Sequence, residues 1–593
     1  MKLPFYLRPF LYLIPFLLFG CQQGEEGSDY TLKNGRIIYK GELSDEVRVH
    51  MQEEPQSLHP TNSTLAQAEE ILGLVYERLL QLDMESGELR PVLVKDLPEV
   101  SEDQLSYSFE LREEARWQDG SPITAEDIAF NFKLLVCKQI ENEAFKAYAE
   151  YFEDMEIDAD NPRKFTLKMS QTYFLNPYFG VLAFMINPQF YDPQGVLSDF
   201  SLKELMEGAE SEALLRWAEE FNDIKYGRRV ELLQGGSGPY RLREWLPDQG
   251  IVLEARDDYW AKDMEGRPFE QEAPEIRFRI IKDPQALVEA IRQQDIDIST
   301  KLSPSAYEQL VGDSLVNAHY QIDKQSRSSL VLIILNNRPD GISQAPIFDD
   351  IRVRQALAYA LPMDEILYKR LETDYIRASA PPTPGNPHAD ADLLPFAYDS
   401  SAARRLLDEA GWTDQNGDGV REKEIDGRTI PLTFSLNFPP QNTTIVQMME
   451  QFEIAWQQVG IKVELQPQDM RAYIPKIQSG QFDASLLPLR SSANLPFDYK
   501  QNYDSESWPE GGNFFGYANP ETDSLIDLIR ITADEKLRKE MAYKVNRILA
   551  EEVPGLFLYH PTRKMALHKR YSNGSFYPMA PFVPFNALKV YRN

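Results

Sequence analysis

The chain has 593 residues, too many for one hydrophobic core, so two to four domains are expected. A hydrophobic content of 42% with 7 Trp, 29 Tyr and 31 Phe excludes a disordered chain. A formal charge of −31 argues against a nucleic-acid backbone as partner, since phosphates are bound by Lys and Arg, and suits a protein dispersed by its own charge.

Residues 1–20 begin with Lys2 and Arg8 and continue as an apolar run interrupted by proline. The run is too short for a membrane span and reads as a secretory signal. Leu18-Phe19-Gly20-Cys21 resembles a bacterial lipobox, in which the cysteine takes a diacylglyceryl group and becomes the new N-terminus. Phe19 is bulkier than is usual there, and an ordinary signal with an incidental cysteine is the alternative. Gln22 to Ser28 is polar and glycine-containing, as a flexible tether is. Losing Lys2 and Arg8 takes the charge from −31 to −33. The second cysteine, Cys137, reads as a small buried hydrophobe.

The body begins near Ile37. Ala66 to Leu80 is helical in pattern, with Ile71, Val75 and Leu79 on one face. Tyr107 to Arg112 alternates as a half-buried strand does, and Asp119-Gly120 turns the chain. Thr124 with Asp127 makes a capping box, with Asp in place of the preferred Glu. Ile128, Phe132 and Leu135 follow at i, i+4 and i+7, the core stripe of a helix. Met155 to Met169 predicts a strand pair. Leu202 to Gly235 is charged and helical, with Leu205, Ala209 and Leu214 among acids, and predicts a solvated surface appendage.

Ser329 to Asn336 is a continuous apolar run of buried-strand length. Asp349-Asp350 precedes an amphipathic helix and suits its dipole. Ala380 to Pro395 is proline-rich and predicts a fixed surface loop. Asp414, Asn416 and Asp418, with Gly419, supply the first half of an EF-type calcium loop. Its twelfth position falls on Ile425 where a bidentate Glu is needed, and a strand pattern follows, so a plain turn is the expectation and no metal or cofactor is assigned. The six histidines are scattered without metal-ligand spacing. No His-Glu-x-x-His, Walker loop or Gly-x-Ser-x-Gly occurs, which leaves no residue set for an enzyme.

Trp117-Gln118-Asp119-Gly120-Ser121-Pro122-Ile123-Thr124-Ala125-Glu126-Asp127 resembles the signature of the family 5 extracellular solute-binding proteins, the peptide and nickel receptors of ABC importers. Glu54–Pro60, Gly236–Tyr240, Pro346–Ala360, Ala402–Trp412 and Gly516–Ile526 resemble further family stretches, so the likeness spans about residues 45–590. It implies an α/β, periplasmic-binding-protein-like fold: two lobes around a ligand cleft, with an additional small domain inserted in the first. The implied division is signal peptide 1–20, tether 21–36, lobe I 37–75, 191–325 and 562–593, inserted domain 76–190, and lobe II 326–561. The crossings fall near Lys324–Arg327 and His560–Lys564.

In peptide-binding members an Asp nine residues beyond a Phe-Asp strand end holds the ligand's ammonium. Here Phe482-Asp483 is followed at that distance by Ser492, with Arg490, Asn494 and Asp498 nearby. The resemblance places the ligand contact on Leu489–Asn494 and on Ser63, Thr64, Leu65 and Ala66 from the other lobe. Arg490 either offers its fork to a negative ligand group or pairs with an acid such as Asp498. The function implied is a lipid-anchored, cell-envelope, monomeric substrate-binding protein that captures a peptide or similar polar solute for a membrane permease. The alternative is a surface or sensory binding protein not coupled to import.

Overall fold

The computed structural model describes residues 30–33, 36–39, 45–62, 66–142, 148–223, 225–229, 231–327, 329–338, 346–440, 443–490, 495–508 and 511–591. Two large sheets dominate it. A seven-stranded mixed sheet runs in the order Tyr240–Leu246, Gly250–Ala255, Glu275–Ile280, Glu46–Met51, Ile298–Ser299, Thr562–His568, Tyr320–Ser326. A six-stranded sheet runs Ile376–Arg377, Gly555–His560, Ser329–Leu335, Ala484–Arg490, Thr433–Phe438, Lys462–Pro467. A four-stranded antiparallel sheet, Glu99–Val100, Ser106–Glu110, Lys164–Met169 and Phe152–Ile157, belongs to the first half of the chain. With helices packed on the large sheets this is the α/β two-lobed architecture of periplasmic binding proteins. No described helix is long and apolar enough to cross a membrane.

The apolar run at Ser329–Leu335 explains why the six-stranded sheet sits in the middle of its lobe. Side chains alternate across a strand, so a run apolar at every position needs cover on both faces. Val331, Ile333 and Leu335 enter one core with Leu357, Trp412 and Trp456. Leu330, Leu332 and Ile334 enter another with Tyr499, Ile526 and Val545. In the other lobe one core is continuous from Val47, Val49 and Phe278 of the seven-stranded sheet to Phe109, Phe165 and Leu167 of the four-stranded one.

The signature stretch is structural. Thr124 caps the helix Ala125–Val136 with both arms of the box formed: Asp127 N–H donates to Thr124 Oγ1 at 3.4 Å, and Thr124 N–H to Asp127 Oδ2 at 2.8 Å. Trp117, buried, donates its indole N–H to the same carboxylate at 3.4 Å. Gln118 N–H reaches Gly236 O at 2.9 Å, which fastens this turn to the Gly236–Tyr240 turn. A Cβ at Gly236 would lie 2.1 Å from Val75 O, so only glycine lets that turn seat on the end of the helix Ala66–Val75. This helix stops at Val75, short of the predicted Leu80, and Leu80–Leu82 is already a strand. Cys137, buried and free, ends the capped helix.

Two expectations are corrected. The charged segment after Leu202 is no solvated appendage. Leu214, Ala218 and Phe221 of the helix Glu212–Asn222 are buried at i, i+4 and i+7, and Trp217 donates to Tyr191 O at 3.1 Å. The acids line only the opposite face, as in any amphipathic helix. The helix seals His59: its Nε2–H donates to Phe221 O at 2.8 Å, and burial lowers its pKa to about 4. The proline-rich loop 380–395 is likewise more than surface, since Thr383, Asn386, His388 and Asp390 are buried. Asn546 Nδ2 donates to His388 O at 2.7 Å and so draws the loop inward.

Candidate functional site

The chain passes between the two large sheets twice, and the two passages lie side by side. Ser326 pairs with Thr562 at the end of one sheet. Three residues after Ser326, and two before Thr562, the chain is already in the other sheet, with Ser329 on one strand and His560 on the next. Arg327 N–H donates to Pro561 O at 2.8 Å, and His560 Nδ1–H to Ser329 O at 3.1 Å. Asp374, from the six-stranded lobe, bolts the passage. Its Oδ1 accepts from Lys564 Nζ at 2.7 Å and Thr562 Oγ1 at 2.8 Å, and Lys324 Nζ stands 3.5 Å from Oδ2. Burial pushes the Asp374 carboxyl up, but these donors win and hold it below its ordinary range.

The strand register shows which sheet edges face each other here. Glu46–Met51, Glu275–Ile280 and Ile298–Ser299 are parallel, so their C-terminal ends share one edge. Ser299 pairs with Ala566, and the partner strand runs on past it toward Thr562, which puts Lys301 and the passages at that same edge. Leu302 N–H donates to Lys564 O at 3.0 Å, fixing the loop there. In open α/β sheets the C-terminal strand ends are where ligands bind.

That edge is charged. Arg563 stacks its guanidinium 4.0 Å from the centre of the Phe582 ring and donates from Nη1 to Thr300 O at 3.3 Å. Burial, with Arg327 beside it, lowers its pKa to about 10 against the pull of Glu70. Burial also lowers the Lys301 ammonium, with Glu70 opposing and Arg563 and Arg327 adding to the fall. Desolvation raises the Glu70 carboxyl against the pull of Lys301 and Arg563. From the other sheet, Ser329 pairs with Arg490, so the Arg490 backbone lies where that sheet meets the passages.

The lobes also touch at a second place, through the loop after the strand Lys164–Met169. Tyr151 and Tyr173 stack with ring centres 3.9 Å apart, and Arg530 from the helix Pro520–Ile531 lies over both, 5.2 and 5.1 Å from their centres. Asp498 Oδ2 accepts from Tyr173 OH at 2.8 Å and from Arg530 Nε at 3.2 Å, while its Oδ1 accepts from Lys500 N–H at 3.0 Å. Phe174 N–H donates to Arg530 O at 2.7 Å. Leu495 packs on the core of the opposite lobe. Of the predicted contact residues, then, Asp498 is held in this clasp and pairs with Arg530. Ser63, Thr64, Leu65, Ser492, Asn494 and Cys21 lie outside the described residues, as does the side chain of Arg490.

The model of the bacterial extracellular solute-binding proteins, family 5, matches residues 88–509. The chain belongs to that family.

Like its relatives, this solute-binding protein is a binding protein and not an enzyme. It is 26% identical over 527 residues to the oligopeptide-binding protein AppA of Bacillus subtilis (strain 168), covering 88% of each chain. It is 24% identical over 536 residues to the nickel-binding periplasmic protein of Escherichia coli (strain K12), covering 90% of this chain and 91% of that one. Its fold superposes on AppA in complex with a nonapeptide with a TM-score of 0.66 at 23% identity, over 92% of this chain and 99% of that one. NikA from Brucella suis in complex with Fe(III)-EDTA gives 0.69 at 21% identity, over 92% and 100%.

The calcium-like loop of this family member closes on itself. Asp414 accepts from Gly417 and Gly419 N–H at 2.7 and 3.1 Å, and Asp418 from Val420 N–H at 2.8 Å and Asn416 Nδ2 at 3.2 Å. Ile425 lies in the strand Glu422–Ile425. No group of three or more potential metal ligands gathers among the described residues. Sequence reasoning missed Glu70, Lys301, Asp374 and Arg563. The last was within reach, because Arg327 and Arg563 flank the two crossings that the resemblance located.

Proposed function

We propose that this family 5 protein is the substrate-binding lipoprotein of an ABC importer, capturing a peptide or similar small polar solute between its two lobes and delivering it to a membrane permease. The paired passages carry this reading. Two adjacent connections bolted by Asp374 let a few residues absorb the rotation of one sheet lobe against the other, which is hinge closure. On this reading lobe I comprises 37–75, 191–325 and 562–593 with the insert 76–190, and lobe II 326–561. The relatives named above include an oligopeptide receptor and a nickel receptor, which supports a solute rather than a macromolecular ligand.

The ligand contact is Leu489–Asn494 together with Ser63–Ala66, with Ser492 and Asn494 as neutral donors and acceptors and Arg490 as a fork for a carboxylate or phosphate. Asp498 serves the clasp instead. Native mass spectrometry of protein purified without denaturation should show one retained polar solute. Protein that retains none, and that hydrolyses a peptide library, would sink the reading. With the solute in hand, Arg490→Ala should weaken binding by roughly 2–5 kcal/mol, the usual effect of truncating one partner of a charge pair. Anchoring rests on Cys21: Cys21→Ala should move the protein from the membrane to the soluble fraction, because two acyl signals hold where one does not.

A further inference from the structure

We propose that the edge formed by Lys301 and Arg563 is an anion subsite, which takes a carboxylate or phosphate group of the bound solute at the floor of the cleft. The inference rests on the solute-binding reading and names the chemistry of one end of the solute.

Three observations carry it. The first is position. Lys301 follows the strand Ile298–Ser299 and Arg563 opens the strand Thr562–His568, so both stand at the sheet edge facing the passages. The second is unmet hydrogen bonding. Arg563 Nε is buried with no acceptor among the described residues, and its only described hydrogen bond goes to a carbonyl, Thr300 O. No carboxylate among the described residues stands within ion-pairing distance of Arg563 or of Lys301. Arg354 is the contrast, a buried guanidinium whose nitrogens the fold itself meets. Its Nε and Nη1 are spread over Glu552 O, Val553 O, Phe348 O and Asp349 O at 2.6–3.1 Å. Burying a cation without an acceptor is costly, and it persists where another partner arrives.

The third is the sign of the surroundings. Arg327 bears on both Arg563 and Lys301, against Glu70 and, for Lys301, Glu53. A cationic excess in a chain of charge −31 is a local arrangement, not a consequence of composition. The Phe582 ring lies 4.0 Å from the guanidinium carbon of Arg563, and Nε and Nη2 have no described acceptor, the two donors that a planar oxyanion takes side by side.

Succinate and inorganic phosphate serve as probes at constant ionic strength, with chloride as control. Two readouts are followed: the melting temperature, and the rate at which Lys301 is acetylated by a water-soluble acetyl ester, read by peptide mass spectrometry. In the wild-type protein one or both anions should raise the melting temperature saturably and slow acetylation of Lys301. A response to succinate alone assigns a carboxylate, and one to phosphate alone a phosphate. Lys301→Met and Arg563→Gln should each raise the half-saturating concentration about tenfold, the order expected when one charge-assisted bond is lost, while Arg563→Lys should recover part of it. An anion response that is absent, or identical in wild type, Lys301→Met and Arg563→Gln, overturns the subsite. A solute retained in native mass spectrometry but lacking any acidic group overturns it too, and leaves the solute-binding reading standing. A Lys301-centred anion response in protein that retains no solute supports the subsite while the broader reading fails.

Discussion

Arg530 and Arg563 are both half-buried guanidinium groups held over aromatic rings, and they differ in everything else. Arg530 meets Asp498 at 3.2 Å and lies over Tyr151 and Tyr173, and its pKa ends raised, because Asp498 and the two tyrosines outweigh burial. Arg563 lies over Phe582 with one carbonyl for company, and its pKa ends lowered by burial and by Arg327. A buried charge that the fold itself satisfies serves the fold. A buried charge left short of acceptors is open to a further partner. The clasp at Arg530 is of the first kind and the edge at Arg563 of the second.

Acid should break both regions, and with the largest effect. His560 beside the passages and His388 beside the clasp are pushed down by burial to about 4, as are His50 and His59, and His568 to about 3. Below pH 6.5 the unfolded chain takes up protons that the folded chain refuses, so these groups contribute fully above pH 6.5 and their contribution is lost as pH falls toward 4. Each is worth up to about 3 kcal/mol at the lower limit. Glu77, raised to about 7 by burial despite bonds from Tyr259 and Trp260, acts oppositely. Its folded value lies above its unfolded one, so its contribution is present below pH 4.5 and lost as pH rises through 7. Burial raises Glu70, Asp127 and Asp504 as well, but these few carboxyls do not offset five histidines. Denaturant unfolding should show a fall of several kcal/mol from pH 7 to pH 4, and a flat profile would refute the assignment of neutral buried histidines.

The next prediction separates the two arginines directly. Asp498→Ala strands Arg530 and the Tyr173 hydroxyl at the lobe contact and should cost about 2–3 kcal/mol of stability, because a half-buried charge loses its acceptor. The inter-lobe distance, read from spin labels on the two lobes, should lengthen with it. Arg563→Gln removes a charge with no acid of its own and should change stability by less than about 1 kcal/mol. Equal losses in the two variants would erase the distinction between clasp and edge.

A smaller effect belongs to the signature stretch. Thr124→Ala should cost about 1 kcal/mol, as removal of an N-cap does. This was legible in the sequence, because a cap is a local contract between Thr124 and a residue three places on. The apolar run at Ser329–Leu335 was legible for a similar reason: only a strand covered on both faces can be apolar throughout. The fold class followed from such stretches and from the long resemblance. The helix Glu212–Asn222 was misjudged because its acids were counted before its phase; Leu214, Ala218 and Phe221 share a face that Leu205 and Ala209 do not extend. At the cleft, local reading runs out. Lys301 and Arg563 are 262 positions apart and Tyr173 and Asp498 are 325 apart, so no window along the chain holds both members of either pair. Strand register brings the first pair to one edge, and packing between the lobes brings the second into contact.

The smallest expected effect is none, and it tests whether the comparison of satisfied and unsatisfied charge extends beyond the cleft. Asp414 and Asp418 are exposed carboxylates in a loop that resembles half of a calcium site. By the standard of Arg530 they are satisfied: Asp414 takes two backbone amides, and Asp418 takes one amide and the Asn416 side chain. Glu422, the acid nearest in sequence after the loop, gives its Oε1 to the Gln415 and Asn416 amides at 2.9 and 3.2 Å. A calcium ion wants six to eight oxygens, and here it would have to displace the hydrogen bonds that form the turn while finding no bidentate carboxylate at Ile425. A ligand that binds only the native state raises its stability with concentration. The melting temperature should therefore be the same in millimolar calcium and in chelator, and Asp414→Asn should leave that equality intact. A rise that grows with calcium and disappears in Asp414→Asn would mean that carboxylates already bonded within a turn can still be recruited by a ligand. Arg563 would then no longer be set apart from Arg530 by its missing acceptor.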